Sequence, residues 1–389
     1  MSGQGRRVVL VSRGLDPIGT GRQVLLAAAG LAERGCEVHL ATVSHDGSPE
    51  GPFATGSGGI AAVHSISSRP APSNLPVDPA AIGGLARLLR RGDFDLVEAW
   101  GWSSGVAAAA ARVMAGLARG RRPPLAIRAA TPPGGSWPRR AALSQAEIVL
   151  ADGDEVAAAC REAAPGTPVV VVPPGIPTEP INPAKPAAAP PRDEVAARYG
   201  LRADRPWTLS VAPLESPSRL ERLLWAMDQI DVVHREVEHL LIGAGSQSAR
   251  LARRARVQHV ADRLKVVPCL RPPIHDGACD LVAHASIVWQ SGEVALGGAI
   301  LEAMAVGRPI VAVESMAACN LIEDGVSGLI VPADPTSEFP RQAVKLLEDA
   351  TLAARLGEAA RLRAIERFSL QAFHAAHAAA MERITSRIV

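Results

Sequence analysis

Aromatic side chains are scarce in this sequence of 389 residues, since phenylalanine, tryptophan and tyrosine together make up only 3%. A surface that binds single-stranded nucleic acid by stacking its bases needs several such rings. Net charge is almost absent as well, because 41 Lys and Arg residues stand against 39 Asp and Glu, a formal charge of +2. Bulk charge therefore does not drive binding to a polyanion, and we expect no nucleic-acid partner.

Cysteine pairs and long apolar runs are also missing. The five cysteines are far apart and form no CxxC pair, which excludes a disulfide framework and favours a reducing cytoplasm. The histidines form no HExxH set, so no metal site is expected. The longest apolar stretch, 105–117, is broken by Arg112 and is too short to span a bilayer. We therefore predict a soluble cytoplasmic protein.

One group of basic residues is compatible with a weak peripheral contact with a membrane. Its members are Arg112, Arg119, Arg121, Arg122, Arg139 and Arg140. Guanidinium groups attract anionic lipid headgroups. A solvated protein face has the same composition, and we favour that interpretation.

Short apolar runs alternate with helical patterns along the chain. The first are a strand at 8–11, a glycine-containing loop at 14–21, a helix at 24–34 and a strand at 38–43. This order is the βαβ unit of a parallel sheet. The alternation restarts at residue 207, and the length fits two domains.

A segment rich in proline and alanine separates the two series. We predict a first domain over 1–175, a linker over 176–205, a second domain over 206–368 and a final helix from 369 to 389. The final helix presents one apolar face, formed by Phe373, His377, Met381, Ile384 and Ile388. Two doubly wound α/β sheets joined in this way predict a cleft between them.

Each predicted domain has a GxG loop between a strand and a helix. Gly19 and Gly21 flank Thr20 in the first, and Gly243 and Gly245 occupy the second. Glycine lets a backbone approach a ligand, and a helix N-terminus favours anions. The dinucleotide fingerprint of dehydrogenases is incomplete, because Val24 stands where it needs a third glycine.

The segment 291–332 is the richest in chemistry. Gly297 and Gly298 begin a predicted helix, where free N–H groups suit a diphosphate. Glu302 lies one turn inside that helix and could accept hydrogen bonds from a ribose diol. A surface position would explain a glutamate equally well, but its apolar neighbours indicate burial, and a buried glutamate usually has a specific partner. Glu293 lies in the preceding loop.

This segment resembles the signature of the retaining glycosyltransferase family 4, which has the GT-B fold. The stretches LEAMAVGRPIVAV and IEDGVSGLIVP match the family pattern nearly without change. Segments GLDPIGTGRQ, LLIGAGSQSARL and VVVVPPGIPTEPI are similar to the family's first loop, nucleotide-side turn and inter-domain turn. ERFSLQAF resembles the start of its final helix, which returns to the first domain. The resemblance covers almost the whole chain.

The resemblance implies a site for transfer of a sugar with retention of configuration and without a metal or other cofactor. The second domain would hold a nucleotide-sugar donor, through Gly243, Gly245, Gly297, Gly298 and Glu302. The first domain would hold a saccharide, lipid-linked or small-molecule acceptor. Its loop at Gly19, Thr20 and Gly21 would lie at the reacting sugar.

Several residues depart from the family pattern. Glu293 stands one position before the expected carboxylate, where Val294 lies, and Pro213 and Ser218 replace the arginine and lysine that neutralise the leaving diphosphate. Arg219 is the nearest substitute, so we assign catalytic roles to Glu293 and Arg219. Asn320 replaces a usual glutamate.

Two functions of different classes remain after these departures. The first is a family 4-like glycosyltransferase. The second is a catalytically degenerate homologue that binds a nucleotide, a sugar or a protein. A histidine usual after the strand at 125–131 is also absent, with Ala130 or Thr131 in its place, which favours the second.

Overall fold

The structure is a computed structural model that describes a set of ranges covering most of the chain: 5–15, 19–43, 59–66, 77–119, 122–178, 190–214, 216–243, 245–267, 278–292 and 298–385. The described residues form two compact units. The first contains the N-terminal strand, Thr20–Gly175 and the C-terminal helix from Gln371, and the second contains Ile176–Leu370.

The first unit is a seven-stranded parallel sheet with helices on its faces. Its strands are β1 (Arg7–Ser12), β2 (Glu37–Thr42), β3 (Ile60–Ser65), β4 (Leu96–Trp100), β5 (Leu125–Ala129), β6 (Ile148–Ala151) and β7 (Val169–Val171), in the order β3-β2-β1-β4-β5-β6-β7. Its helices are α1 (Thr20–Glu33), α2 (Pro79–Gly92), α3 (Trp102–Arg119), α4 (Trp137–Ser144) and α5 (Asp154–Ala163). Strands inside the sheet such as β6 are buried on both faces, which explains the continuous apolar sequence of β6.

The second unit is a six-stranded parallel sheet. Its strands are β8 (Trp207–Val211), β9 (Glu238–Ile242), β10 (Leu264–Val267), β11 (Ile287–Gln290), β12 (Ile310–Val313) and β13 (Leu329–Val331), in the order β10-β9-β8-β11-β12-β13. The remaining helices of the chain are α6 (Arg192–Tyr199), α7 (Leu220–Val233), α8 (Ser248–Val257), α9 (Ala278–His284), α10 (Gly298–Ala305), α11 (Met316–Leu321), α12 (Glu338–Glu348), α13 (Ala350–Phe368) and α14 (Leu370–Thr385). The prediction of two doubly wound parallel sheets is confirmed.

Two apolar cores lie on opposite faces of the second sheet. Leu209 of β8 packs in the core that contains Met304 of α10 and Phe368 of α13. Trp289 of β11 packs in the other core, with Phe339 of α12. Because helices cover both faces, the side chains of the inner strands β8, β9, β11 and β12 are all buried, which gives mostly apolar runs rather than a period of two.

Several elements are absent from the sequence-based prediction. β3 is half-exposed, so its apolar signal is weak. α2 contains the adjacent glycines Gly83 and Gly84, which lower helix propensity. α6 lies inside the predicted linker 176–205, because the dense run of prolines ends at Pro191 and the next eight residues have none.

The predicted apolar face of the last helix is buried. Phe373, His377, Met381 and Ile384 are each at most 6% exposed, and Ile388 lies outside the described residues. The Nε2 atom of His377 lies 3.0 Å from both carboxylate oxygens of Glu98, which is fully buried in β4. The imidazole–carboxylate pair therefore fixes α14 to the centre of the first sheet.

Within the part of the chain that the structure describes, no helix combines the length and the apolar character needed to cross a bilayer.

Candidate functional site

The order of strands in the second sheet reverses between β8 and β11. From β8 the chain continues to β9 and β10 on one side, and from β11 it continues to β12 and β13 on the other. In such sheets, ligands bind outside the carboxyl ends of the strands at this switch point. The Oγ atom of Ser291, after β11, donates a 2.8 Å hydrogen bond to the carbonyl of Ser218, after β8. The two loops of the switch point are thus joined directly.

The loop after β8 contains Pro213 and Ser218, the two neutral residues that stand where the family pattern has an arginine and a lysine. The Oγ atom of Ser218 donates a hydrogen bond of 2.7 Å to the carbonyl of Pro213. Ser218 is only 2% exposed. The two residues are therefore hydrogen-bonded to each other, and neither places a positive charge at the switch point.

Arginines supply the positive charge beside this loop. Arg219 is exposed and precedes α7 with a φ of 50°, in the left-handed region. No described residue bonds to its guanidinium group. Arg222, which the sequence analysis did not select, donates from Nη1 to the carbonyl of Ser291 at 3.3 Å. Its position one turn after Arg219, at the start of a helix that follows β8, is the signal that could have identified it.

The loop after β9 contains Gly243 and Gly245. The N–H group of Gly243 bonds to the carbonyl of Val267 at 3.0 Å. A Cβ atom at this position would lie 2.0 Å from the carbonyl oxygen of Ala212. Glycine at 243 is therefore required for packing between the ends of β8 and β9, and its part in donor binding stays a prediction. Gly245 caps the next turn, where its carbonyl accepts from Ser248 Oγ at 2.6 Å.

Helix α10 follows β11 at the same edge of the sheet. Gly298 is its first residue, and Glu302 one turn later is 5% exposed. The neighbouring Leu301 and Ala303 are also buried, as predicted from their apolar character. Glu293 and Gly297 lie outside the described residues, so their roles stay predictions.

The second half of the segment 291–332, which carries the family resemblance, has a structural role. Ser315 caps α11 by accepting a hydrogen bond from the amide of Ala318 at 3.2 Å. Asp324 Oδ1 accepts from the amide of Ile330 at 2.8 Å, and Ser327 Oγ accepts from the amide of Glu323 at 2.9 Å. The sequence IEDGVSGLIVP therefore builds a tight turn. Asn320, partly exposed in α11, takes no part in these turn bonds.

The first sheet reverses its order between β1 and β4. The loop after β1 ends at Gly19, whose φ of 79° favours glycine, and Thr20 begins α1. Gly21 is buried. One turn further, the side-chain amide of Gln23 donates to the carbonyl of Gly175 at 2.7 Å and accepts from its amide at 2.9 Å. The predicted acceptor loop thus leads into a firmly anchored helix at a switch point.

A buried ion pair lies near the carboxyl edge of the first sheet. Arg128 of β5 donates from Nε to Asp152 Oδ1 at 2.7 Å and from Nη2 to the carbonyl of Val172 at 2.6 Å. Its guanidinium group also lies 5.0 Å from the ring centre of Trp100. Burial raises the pKa of Asp152 to about 6, although the charge of Arg128 favours the ionised form.

The raised pKa of Asp152 gives a stability prediction. A carboxyl that binds its proton more tightly in the folded state loses stability as pH rises from its ordinary pKa to its folded one. Between about pH 4 and pH 6 we therefore expect this group to reduce the free energy of unfolding by up to about 1.4 kcal/mol per pH unit. Asp152→Asn should flatten this dependence in urea unfolding at several pH values. An unchanged slope would contradict the assignment, and Asp154→Asn, at an exposed position, is the control.

One predicted basic residue is not available on the surface. Arg112 is only 7% exposed, and its Nη1 atom lies 2.7 Å from Glu147 Oε1. Including Arg112 in a solvated or membrane-facing group was therefore wrong, because the guanidinium joins α3 to the segment before β6. Among the described residues, no three His, Cys, Asp or Glu side chains come together in an arrangement that could hold a metal ion.

Two family models match the chain in succession. Residues 17–180 match the model for Glycosyltransferase Family 4, and residues 205–349 match the model for glycosyl transferases group 1. The second match contains the switch point between β8 and β11.

Curated relatives match over parts of their length. An α-D-kanosaminyltransferase of Streptomyces kanamyceticus is 29% identical over 46% of this chain and 46% of its own. A D-inositol 3-phosphate glycosyltransferase of Streptomyces bingchenggensis is 31% identical over 49% of this chain and 43% of its own. The chain thus spans less than half the length of these relatives in the matched regions.

Solved structures share the fold over nearly the whole chain. Sucrose-phosphate synthase from Thermosynechococcus elongatus superposes with a TM-score of 0.80 and 18% identity, over 98% of this chain and 100% of that one. HepE of Anabaena, solved in complex with UDP and glucose, gives a TM-score of 0.76 and 18% identity over 97% and 100%. The fold is GT-B, and the two halves of the chain match in succession a model for Glycosyltransferase Family 4 and a model for glycosyl transferases group 1.

Proposed function

We propose that this protein transfers a sugar from a nucleotide-sugar donor to an acceptor, with retention of anomeric configuration and without a metal, in the cytoplasm. The donor would bind to the second unit at the switch point between β8 and β11. The acceptor, a saccharide, a lipid-linked compound or a small molecule, would bind to the first unit near the loop at Gly19. The relative solved with UDP and glucose supports the donor class.

The observation that carries the proposal is the placement of Glu302. Its carboxylate is buried one turn into α10, which starts at the edge of the sheet where ligands bind. A carboxylate at this place can accept hydrogen bonds from the two hydroxyl groups of a nucleotide ribose. The N–H groups at the start of the same helix suit the adjoining diphosphate.

The leaving diphosphate needs positive charge as its bond to the sugar breaks. Arg219 and Arg222 are the described cations beside the switch point. In the proposed reaction they stabilise the nucleoside diphosphate as it leaves, assisted by the partial positive charge at the N-terminus of α10. Glu293, in the loop before that helix, would contact the transferred sugar.

The decisive experiment is incubation with a panel of nucleotide sugars, with UDP-, GDP- and ADP-linked hexoses tested separately. We expect release of one nucleotide that depends on an added acceptor and persists in EDTA. The anomeric configuration of the product, read by NMR, tests retention. No release with any donor would contradict the proposed activity, and loss of release in EDTA would contradict the metal-free mechanism.

Glu302→Gln is expected to leave the fold intact while weakening nucleoside diphosphate binding by about 1–3 kcal/mol, the cost of losing charged hydrogen bonds. Isothermal titration with UDP, GDP and ADP measures this change. Glu358→Gln is the matched control, because Glu358 lies in the same unit but is exposed on α13. Unchanged affinity in a folded Glu302→Gln variant would refute the assigned contact with the ribose.

The hydrogen bond between Ser218 and Pro213 favours a second candidate function. Because these two residues are neutral and are hydrogen-bonded to each other, the site has less positive charge for a leaving diphosphate than the family pattern provides. The second candidate is a homologue that binds a nucleotide or sugar without transferring it. Binding of a nucleotide sugar with no nucleotide release in the presence of any acceptor would favour this candidate.

A further inference from the structure

A cavity in the first unit lies away from both switch points. It has a volume of about 500 Å³ and is bounded by α2 and by the face of β1, β2 and β3. Arg7, at the start of β1, and Phe94, just before β4, form one wall. From this wall the cavity extends to His64 and Ser65 at the carboxyl end of β3, the outermost strand of the sheet, and no described residue of the loops after β1 and β4 lines it. The volume is within the range of small-molecule sites.

The walls of this cavity are positively charged. Arg7, Arg87 and Arg91 line it, and among the described residues no acidic side chain does. Glu37 offsets Arg7, with a distance of 3.0 Å between Oε1 and Nη2. Arg87 and Arg91 are exposed on one face of α2, and no described residue bonds to either. The unbalanced charge of the cavity therefore comes from these two arginines.

A pair of histidines continues the wall formed by Arg7 and Phe94, since His39 Nε2 lies 3.4 Å from Arg7 Nη2 and the His39 ring packs edge-on against Phe94. The rings of His39 and His64 are parallel, with centres 5.3 Å apart, and His39 Nδ1 lies 3.0 Å from His64 Nε2. His39 Nε2 lies 2.9 Å from Glu37 Oε1. If His39 donates to Glu37, it accepts from His64, which leaves the Nδ1 atom of His64 to take up a proton. Burial and the neighbouring His39 lower the pKa of His64, so the ring is neutral near pH 7.

We propose that this cavity binds a phosphate group, held by Arg87 and Arg91 from α2 and by His64 from β3. Two guanidinium groups four residues apart on a helix face the same way and can donate together to phosphate oxygens. A bound dianion would also favour the protonated form of His64, which adds a third charged donor. The ligand would be a phosphorylated effector rather than a substrate of the proposed transfer, because the cavity lies at the outer strands of the sheet and no described residue of the loops at the switch point between β1 and β4 lines it.

The test is an NMR titration with inorganic phosphate, at constant pH and ionic strength, of protein whose histidine residues carry an isotope label. The ring signals of His39 and His64 report on this cavity alone, so phosphate bound at the donor site does not interfere. We expect both signals to shift and saturate in the wild type. Arg87→Glu/Arg91→Glu should weaken this binding about tenfold or more, because charged contacts are lost.

Arg90→Glu is the matched control, since Arg90 lies in the same last turn of α2 but does not line the cavity. It should change the affinity for phosphate less than twofold. A thermal melt establishes that each variant is folded. If the double variant binds phosphate with the same affinity as the wild type, as read from the shifts of the histidine signals, the assignment to Arg87 and Arg91 is overturned.

A second arm distinguishes the source of the phosphate. Vesicles of phosphatidylcholine with and without phosphatidic acid are sedimented with the wild type, the double variant and the Arg90 control. Sedimentation that requires phosphatidic acid, Arg87 and Arg91 would identify a lipid headgroup as the ligand. Phosphate-induced shifts without such sedimentation would identify a soluble phosphate ester. No shift and no specific sedimentation would overturn the proposal.

Discussion

Replacing Arg219 with alanine is expected to abolish turnover and to weaken binding of a nucleoside diphosphate by about 1.5–3 kcal/mol. A diphosphate carries two or more negative charges, and a helix N-terminus supplies only about half a positive charge. Pro213 and Ser218 provide none and bond to each other. Arg219 is exposed at the edge of this loop, and no described residue bonds to its side chain. Calorimetric titration and a nucleotide-release assay measure the two effects.

The positive φ of Arg219 allows a second variant that isolates the side chain. Arginine and alanine both carry a Cβ atom and are strained by about 1–2 kcal/mol in the left-handed region, whereas glycine is not. Arg219→Gly should therefore lose the same affinity as Arg219→Ala without being less stable than the wild type, which separates the loss of binding from a loss of folding. Arg235→Ala, after the other end of α7, is the control and should leave binding unchanged.

Arg222 provides the competing assignment. Its guanidinium group already bonds to the carbonyl of Ser291 at the switch point. If Arg222→Ala removes binding and turnover while Arg219→Ala does not, the main cation is Arg222. Tight diphosphate binding that is indifferent to both arginines would refute a role for either one.

Replacing His377 with leucine is expected to destabilise the first unit by about 3–5 kcal/mol, the cost of leaving a buried charge without its partner. Glu98 is fully buried, and both of its carboxylate oxygens lie 3.0 Å from His377 Nε2. A leucine would fill much of the space but could not donate a hydrogen bond. In urea unfolding, we expect the transition of the first unit to move while that of the second stays unchanged.

A double-mutant cycle identifies the cause of this loss. Glu98→Leu combined with His377→Leu should be more stable than His377→Leu alone, because an apolar pair needs no charge compensation. His374→Leu is the control, since the one hydrogen bond of its side chain among the described residues is with the carbonyl of Leu26, at 2.8 Å. That variant should lose about 1 kcal/mol. A loss of the same size for His377→Leu would show that the pair contributes no more than an ordinary hydrogen bond.

Most helices and strands could be predicted from the local sequence, because the spacing of apolar residues within one helix or strand follows from the geometry of that segment alone. The mostly apolar stretch at 94–100 predicted a buried strand, and β4 occupies Leu96–Trp100. The apolar neighbours of Glu302 indicated a buried helix, and α10 is buried. Elements with mixed signals were not found. The half-exposed β3 and the glycine-containing α2 are examples, and between them lies the cavity proposed to bind phosphate.

The sequence by itself determined the two parallel sheets, the resemblance to family 4 glycosyltransferases and the neutral residues at Pro213 and Ser218. These features depend on the order and character of nearby residues. Only the tertiary structure decided that the loops after β8 and β11 meet, through a hydrogen bond between residues 73 positions apart. It also buried Arg112 against Glu147 and left Arg87 and Arg91 exposed beside a pair of histidines. The physical reason is that the surroundings of a charged side chain are set by contacts between distant segments, which no local pattern records.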